Sequence, residues 1–207
     1  MLDILVRGGW MMIPIALCSL VAVAVIIERF FFFRRIGAPG RAEEVIGFAR
    51  KGRIEEAAGL MHRIIDEGKS ASLPVMRVLS AGLDHPFEPA DAMEAAGAVE
   101  VSSMKRGLAA LDTIITLSPL LGLLGTIVGM INAFNVMATA GLGQPHAVTG
   151  GVAEALVCTA AGISVAVVTL VPYNYFLARV ERGADVIETY ATRLELAMNG
   201  CSRGEQP

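Results

Sequence analysis

Three stretches of the chain are apolar almost without interruption, at residues 10–33, 112–140 and 147–178. A membrane-crossing helix needs about 20 such residues, so each predicts a span. The intervening residues 34–111 are mixed. Ile54, Ala57, Ala58, Met61, Ile64 and Ile65 recur there at helical spacing and predict an amphipathic helix. Asp84-His-Pro-Phe-Glu-Pro89 interrupts the pattern. From Ala90 a new helix begins with no stop signal before Pro119, so it is expected to run unbroken into the second span. Met93, Val101, Met104 and Leu108 should then face neighbouring copies rather than solvent. Segments 36–53 and 66–89 read equally as loops or short helices, and no stretch has the period of a strand. The fold class predicted is an all-α integral membrane protein with three transmembrane helices and a helical cytoplasmic domain.

The basic residues orient it. Arg29, Arg34, Arg35 and Arg41 follow the first span, Lys105 and Arg106 precede the second, and Arg179 and Arg182 follow the third. The turn Ala140-Gly-Leu-Gly-Gln-Pro-His146 has none. The excess of basic residues on the cytoplasmic side places residues 1–9 and 141–146 outside and residues 34–111 and 179–207 inside. The first span has no basic leader beyond Arg7 and no small-residue cleavage site, and it reads as a retained helix rather than a signal peptide. Trp10 at its start, and Tyr173, Asn174 and Tyr175 at the end of the third, suit the membrane interfaces.

Hydrophobic residues make up 54% of the chain and charged residues 18%, which excludes an ordinary soluble domain. A net charge of −3 gives no reason to expect nucleic-acid binding. Cys18, Cys158 and Cys201 lack paired spacing and fit neither a disulfide framework nor a metal site. His62, His85 and His146 are scattered outside the spans. There is no phosphate loop, nucleophile elbow or metalloprotease motif, so no catalytic set, metal or cofactor is expected.

One residue stands out chemically. Between Arg106 and Arg179 there is no lysine or arginine, and the acidic residues are Asp112, at the leading edge, and Glu154. A carboxylate within a span costs roughly 2.5–3.5 kcal/mol on insertion scales. Such a group handles an ion or proton, pairs with a partner, or sits near enough to a helix end to reach the interface. In the second span Gly125 and Gly129, extended by Gly122, make a small surface for close helix packing. Pro119 frees a backbone carbonyl and should kink the helix, with Ser118 at hand to satisfy the freed group. Thr126 either faces a pathway or bonds back to its own helix. The third span offers Gly150, Gly151, Ala155, Ala161, Gly162 and Ala166 as a small face, with Thr159 and Ser164 adding hydroxyls. Glu154 and Thr159 are about 140° apart around a helix, so both border one lumen only if it is wide or enclosed by several subunits.

Leu111-Asp112, Pro119-Leu-Leu-Gly-Leu-Leu-Gly-Thr126-Ile-Val-Gly-Met130, Gly151-Val-Ala-Glu154-Ala-Leu-Val-Cys-Thr159-Ala-Ala-Gly162 and Pro172-Tyr-Asn174 together resemble the ExbB/TolQ/MotA proton-channel family. Gly8-Gly-Trp-Met-Met-Ile-Pro14 and Ile27-Glu28-Arg29 look like its ExbB/TolQ branch. The resemblance implies a homopentameric bundle around a central pore that holds two single-span subunits of the ExbD or TolR type. It implies a bacterial inner-membrane location and proton-driven work on a TonB- or TolA-like protein. Its pore-lining positions fall on Glu154, Thr126 and Thr159, while the proton-carrying aspartate belongs to the partner. The ExbB-like role in outer-membrane uptake is the first expectation. The TolQ-like envelope role is the alternative, and another motor stator stands further off. A proton-coupled transporter is disfavoured because three spans leave no inverted repeat around a midplane site.

Overall fold

A computed structural model describes residues 9–36, 41–66, 74–140 and 145–204. The described residues are helical apart from turns and contain no strand. We number the helices α1 (Met12–Arg35), α2 (Ala42–Arg50), α3 (Ile54–Asp66), α4 (Pro74–Asp84), α5 (Pro89–Lys105), α6 (Leu108–Ala140) and α7 (Pro145–Gly204). Segments 36–53 and 66–89, left open above, therefore hold two short helices, α2 and α4. Three helical stretches are long and apolar enough to cross a membrane, within Met12–Arg35, Pro89–Ala138 and Thr149–Gly200. At about 1.5 Å per residue, even the shortest of the three exceeds the roughly 30 Å of a hydrocarbon core. The expected N-terminal segment 1–8 and most of the turn 141–146 lie outside the described residues.

The helix expected to continue from Ala90 into the second span is interrupted. Arg106 (φ −54°, ψ 134°) and Gly107 (φ +79°) form a two-residue turn between α5 and α6. These angles are those of the central residues of a type II turn, whose second position needs positive φ and so favours glycine. The Leu111 N–H then donates to the Gly107 carbonyl and α6 restarts. By contrast Pro119 does not end α6, which passes through it.

The chain divides into two compact units, residues 1–29 with 107–176 and residues 30–106 with 177–207. In the first, α1, α6 and α7 pack together. In the second, α2–α5 and the carboxyl half of α7 bury Val45, Ile46, Met61, Ile64, Met76, Leu79 and Leu194. Met93 and Met104 are buried as well, against the backbone of Gly82 and of Gly183. They are consumed by packing within this unit, which corrects their expected role toward neighbouring copies. Among the ion pairs that tie described helices of this unit together are Arg77–Glu100 at 2.7 Å between α4 and α5, and Arg193–Glu43 at 2.6 Å between α7 and α2.

Candidate functional site

The site grows out of one helix pair. Gly122, Gly125 and Gly129 recur every three or four residues on α6, which puts them on one face. Opposite them on α7 stand Gly151, Ala155, Cys158 and Gly162. A Cβ at Gly122 would lie 3.0 Å from the Cys158 carbonyl oxygen and the Thr159 Cα. One at Gly125 would lie 2.7 Å from the Cys158 Cβ, and one at Gly129 would lie 2.8 Å from the Ala155 Cβ. One at Gly162 would overlap the Ser118 carbonyl oxygen. As α6 advances from Ser118 to Ala133, its contacts on α7 retreat from Gly162 to Gly151, so the helices are antiparallel. Without side chains on this face the backbones meet directly, the arrangement that small residues permit in lipid. Gly150, placed with the small face above, has open space around it.

The polar side chains of the pair are engaged locally. Thr159 Oγ1 donates to the Gly122 carbonyl at 2.9 Å, a hydrogen bond between the two helices. Thr126 Oγ1 donates back to the Leu123 carbonyl of its own helix at 2.6 Å. Ser118 does not perform the rescue expected of it, because its hydroxyl is buried with no hydrogen-bond partner. Its position beneath the tight contact with Gly162 accounts for the burial. Among the described residues no three His, Cys, Asp or Glu side chains converge as a metal site would require.

The start of α1 covers one flank of this pair. Met11, Met12 and Ile15 cluster with Cys158, and Leu121, Val128, Ala161 and Val165 pack against them. Glu154, Cys158, Ala161 and Val165 are related as i, i+4, i+7 and i+11, so they form a single stripe on α7. Glu154 thus belongs to the α1-facing stripe, and its Oε1 lies against Gly9 in the turn before α1. Thr159 is about 140° round α7 from Glu154, and Thr126 is about 140° round α6 from Leu121. The structure therefore brings Thr126 and Thr159 to the flank of the pair turned away from α1 and sets Glu154 on the other. Pro119 and Asp112 share the Thr126 side of α6 by the same geometry, and Asp112 is exposed. Gly9 was not singled out from the sequence as a member of the site. Its signal was the Gly8-Gly-Trp10 string, which only the position of α1 connects to Glu154.

Three apolar helices and this packed pair define a multi-pass membrane protein. Residues 69–189 match the family model of the MotA/TolQ/ExbB proton channel family. The chain is 35% identical over 195 residues to biopolymer transport protein ExbB-like 3 of Synechocystis, covering 91% of this chain and 90% of that protein. It is 31% identical over 201 residues to ExbB-like 1 of the same organism, covering 95% and 78%. It is also 34% identical over 110 residues to the Tol-Pal system protein TolQ of Pseudomonas aeruginosa, covering 53% and 48%. The chain belongs to the MotA/TolQ/ExbB proton channel family and is most like its ExbB members. This is a family of energy-transducing channel subunits, not of enzymes.

Proposed function

We propose that this protein is the multi-copy subunit of an inner-membrane proton channel. In this reading five copies surround the single helices of an ExbD-like partner, and proton flow does work on a TonB-like protein that energises outer-membrane uptake. The observation that carries it is Glu154, the one acidic residue between Asp112 and Arg179, set in the wall of a tightly packed helix pair. Nothing in the sequence of that stretch offers a lysine or arginine to neutralise it, so its charge is answered by a proton, a polar neighbour or a partner helix. Thr126 and Thr159 supply hydroxyls on the opposite flank of the same pair. Their protons are committed to backbone carbonyls, which leaves their oxygens to accept from water. In a ring of copies the threonine flank lines the lumen, and Glu154 reaches that lumen where neighbouring copies enclose it. The apolar helices supply the lipid-facing surface, and no cofactor is called for.

A TolQ-like role in an envelope system, with a TolR-like partner and a TolA-like protein, is the second reading. It is favoured by the likeness to TolQ alongside that to the ExbB-like proteins. Both readings assign the same work to Glu154. Glu154→Gln keeps the size and hydrogen-bonding capacity of the side chain and removes its titration. The variant is expected to reach the membrane at normal levels, to assemble with its partner, and to lose most proton-driven activity. Energised growth or uptake in a strain carrying only this variant is the measurement. Wild-type behaviour there would reduce Glu154 to a packing or interface residue.

A further inference from the structure

Gly9 sits in the last turn before α1 with φ +65°, in the left-handed region that side chains other than glycine's rarely adopt. Its carbonyl accepts the Met12 N–H at 3.1 Å, so this turn starts α1. The space that a Cβ would fill is already taken: it would overlap Glu154 Oε1 and stand 3.1 Å from Glu154 Cδ. Two neighbours hold the turn in register. On its carboxyl side Met11, Met12 and Ile15 are buried against Cys158, Leu121 and Val128. On α7, Glu154 is one helical turn from Cys158, so the carboxylate and the anchor of α1 belong to the same stripe. The carboxylate also lies at the amino end of α1, where the helix dipole favours negative charge.

We infer that Gly9 is a positioning residue for the Glu154 carboxylate, and that the turn opening α1 forms one wall of the proton site. This rests on the reading of Glu154 as the proton-handling group. Of the two bodies that meet at Gly9, the turn is pinned by buried side chains and the carboxylate is the far end of a flexible one. A methyl group at position 9 therefore displaces the carboxylate while the α1–α6–α7 packing persists. Shortening the acid by one methylene withdraws it from the turn and makes room for that methyl.

The test uses the full chain with its partner in the membrane, as Gly9→Ala, Glu154→Asp, the double variant and Glu154→Gln. Two properties are read: proton-driven activity, and the rate at which dicyclohexylcarbodiimide modifies Glu154, followed by mass spectrometry of the labelled peptide. Gly9→Ala is expected to accumulate normally, to lose activity, and to change the labelling rate of Glu154 by about threefold or more, as expected for coupled neighbours. The double variant is expected to be more active than Gly9→Ala alone, a rescue that mere loss of helix stability would not produce. Unchanged activity and labelling in Gly9→Ala would overturn the inference, as would a double variant whose loss is the product of the single losses. Should Gly9→Ala fail to accumulate, Gly9→Asn, which tolerates positive φ better, takes its place. Failure of both, unrelieved by Glu154→Asp, would make Gly9 purely structural and overturn the inference too. Full activity of Glu154→Gln would instead sink the proposed function itself, whatever Gly9 does.

Discussion

Thr126 and Thr159 look alike in the sequence and differ in the structure. Thr126 bonds to its own helix, so Thr126→Ala removes no link between helices. Thr159 joins α7 to the Gly122 carbonyl of α6. Hydrogen bonds between membrane helices average about 0.6 kcal/mol, so Thr159→Ala should cost stability of that order and Thr126→Ala almost none. Thermal unfolding in mild detergent should show the difference, and both variants should retain more proton-driven activity than Glu154→Gln because water can replace one hydroxyl. Gly162 allows a sharper contrast. Its missing Cβ faces the Ser118 backbone, which cannot swing aside, whereas Gly150 has open space. Gly162→Ala should cost about 1–3 kcal/mol by overpacking. Gly150→Ala should be neutral or slightly stabilising, since alanine is the better helix former by about 1 kcal/mol. Equal melting temperatures for these two variants would mean that the α6–α7 contact is looser than its backbone distances imply. The small residues were legible in the sequence as packing positions, and Glu154 as the exceptional charge. The flank that Glu154 occupies was not legible, because the stripe through Cys158, Ala161 and Val165 acquires a meaning only once α1 lies on it.

At the scale of elements, the sequence pattern found the long apolar helices and the amphipathic α3 but missed one interruption. Pro119, where a kink rather than an end is expected, lies within α6. Gly107 passed unnoticed and ends a helix. The physical difference is that Pro119 removes one donor from a helix whose other hydrogen bonds persist, whereas Gly107 adopts a backbone angle that no helix contains. An isolated glycine in a helical pattern is ambiguous from sequence alone, and the Lys105-Arg106 pair before Gly107 reads equally as the charged end of a span. A Cβ at Gly107 would also stand 3.1 Å from Val25 Cγ1 on α1. Gly107→Ala should therefore destabilise by about 1–2 kcal/mol from the positive φ alone, and Gly107→Asn by less. Melting of the purified variants checks the order; an alanine as stable as wild type would mean that the break heals into a continuous helix. In the second unit, Glu100 is buried and held by the half-exposed Arg77, so Arg77→Met, which strands a buried carboxylate, should destabilise more than Glu100→Gln, which leaves only the solvated guanidinium without its partner.

For the whole molecule, the structure changes the reason for expecting an assembly. The glycine faces of α6 and α7 seemed available to neighbouring copies, but they are spent on each other within one chain. Most of what remains outward within the spans is apolar, with Leu120, Leu123, Ile127 and Ile131 exposed on α6 and Leu156, Ile163 and Val167 on α7. In a bilayer such surface is at home against lipid and does not by itself drive association. Association into a ring is therefore favoured by the polar groups. Thr126 is only partly buried, and Glu154 and Asp112 are exposed, on a chain whose surroundings in this region are hydrocarbon unless other helices or water supply something better. Enclosing those groups between copies removes that cost. Native mass spectrometry from mild detergent should show a homo-oligomer, with or without the single-span partner. A monomer at every concentration would leave Thr126, Glu154 and Asp112 facing lipid and would remove the lumen on which the proposed channel depends. The same preparation tests the orientation. With Cys18, Cys158 and Cys201 replaced, a cysteine at Gly143, in the segment outside the described residues, should react with an impermeant reagent from the outer face, and one at Arg53 only after the membrane is opened. The reverse pattern would place α2–α5, together with the flanking arginines that are expected to hold them inside, on the outer face.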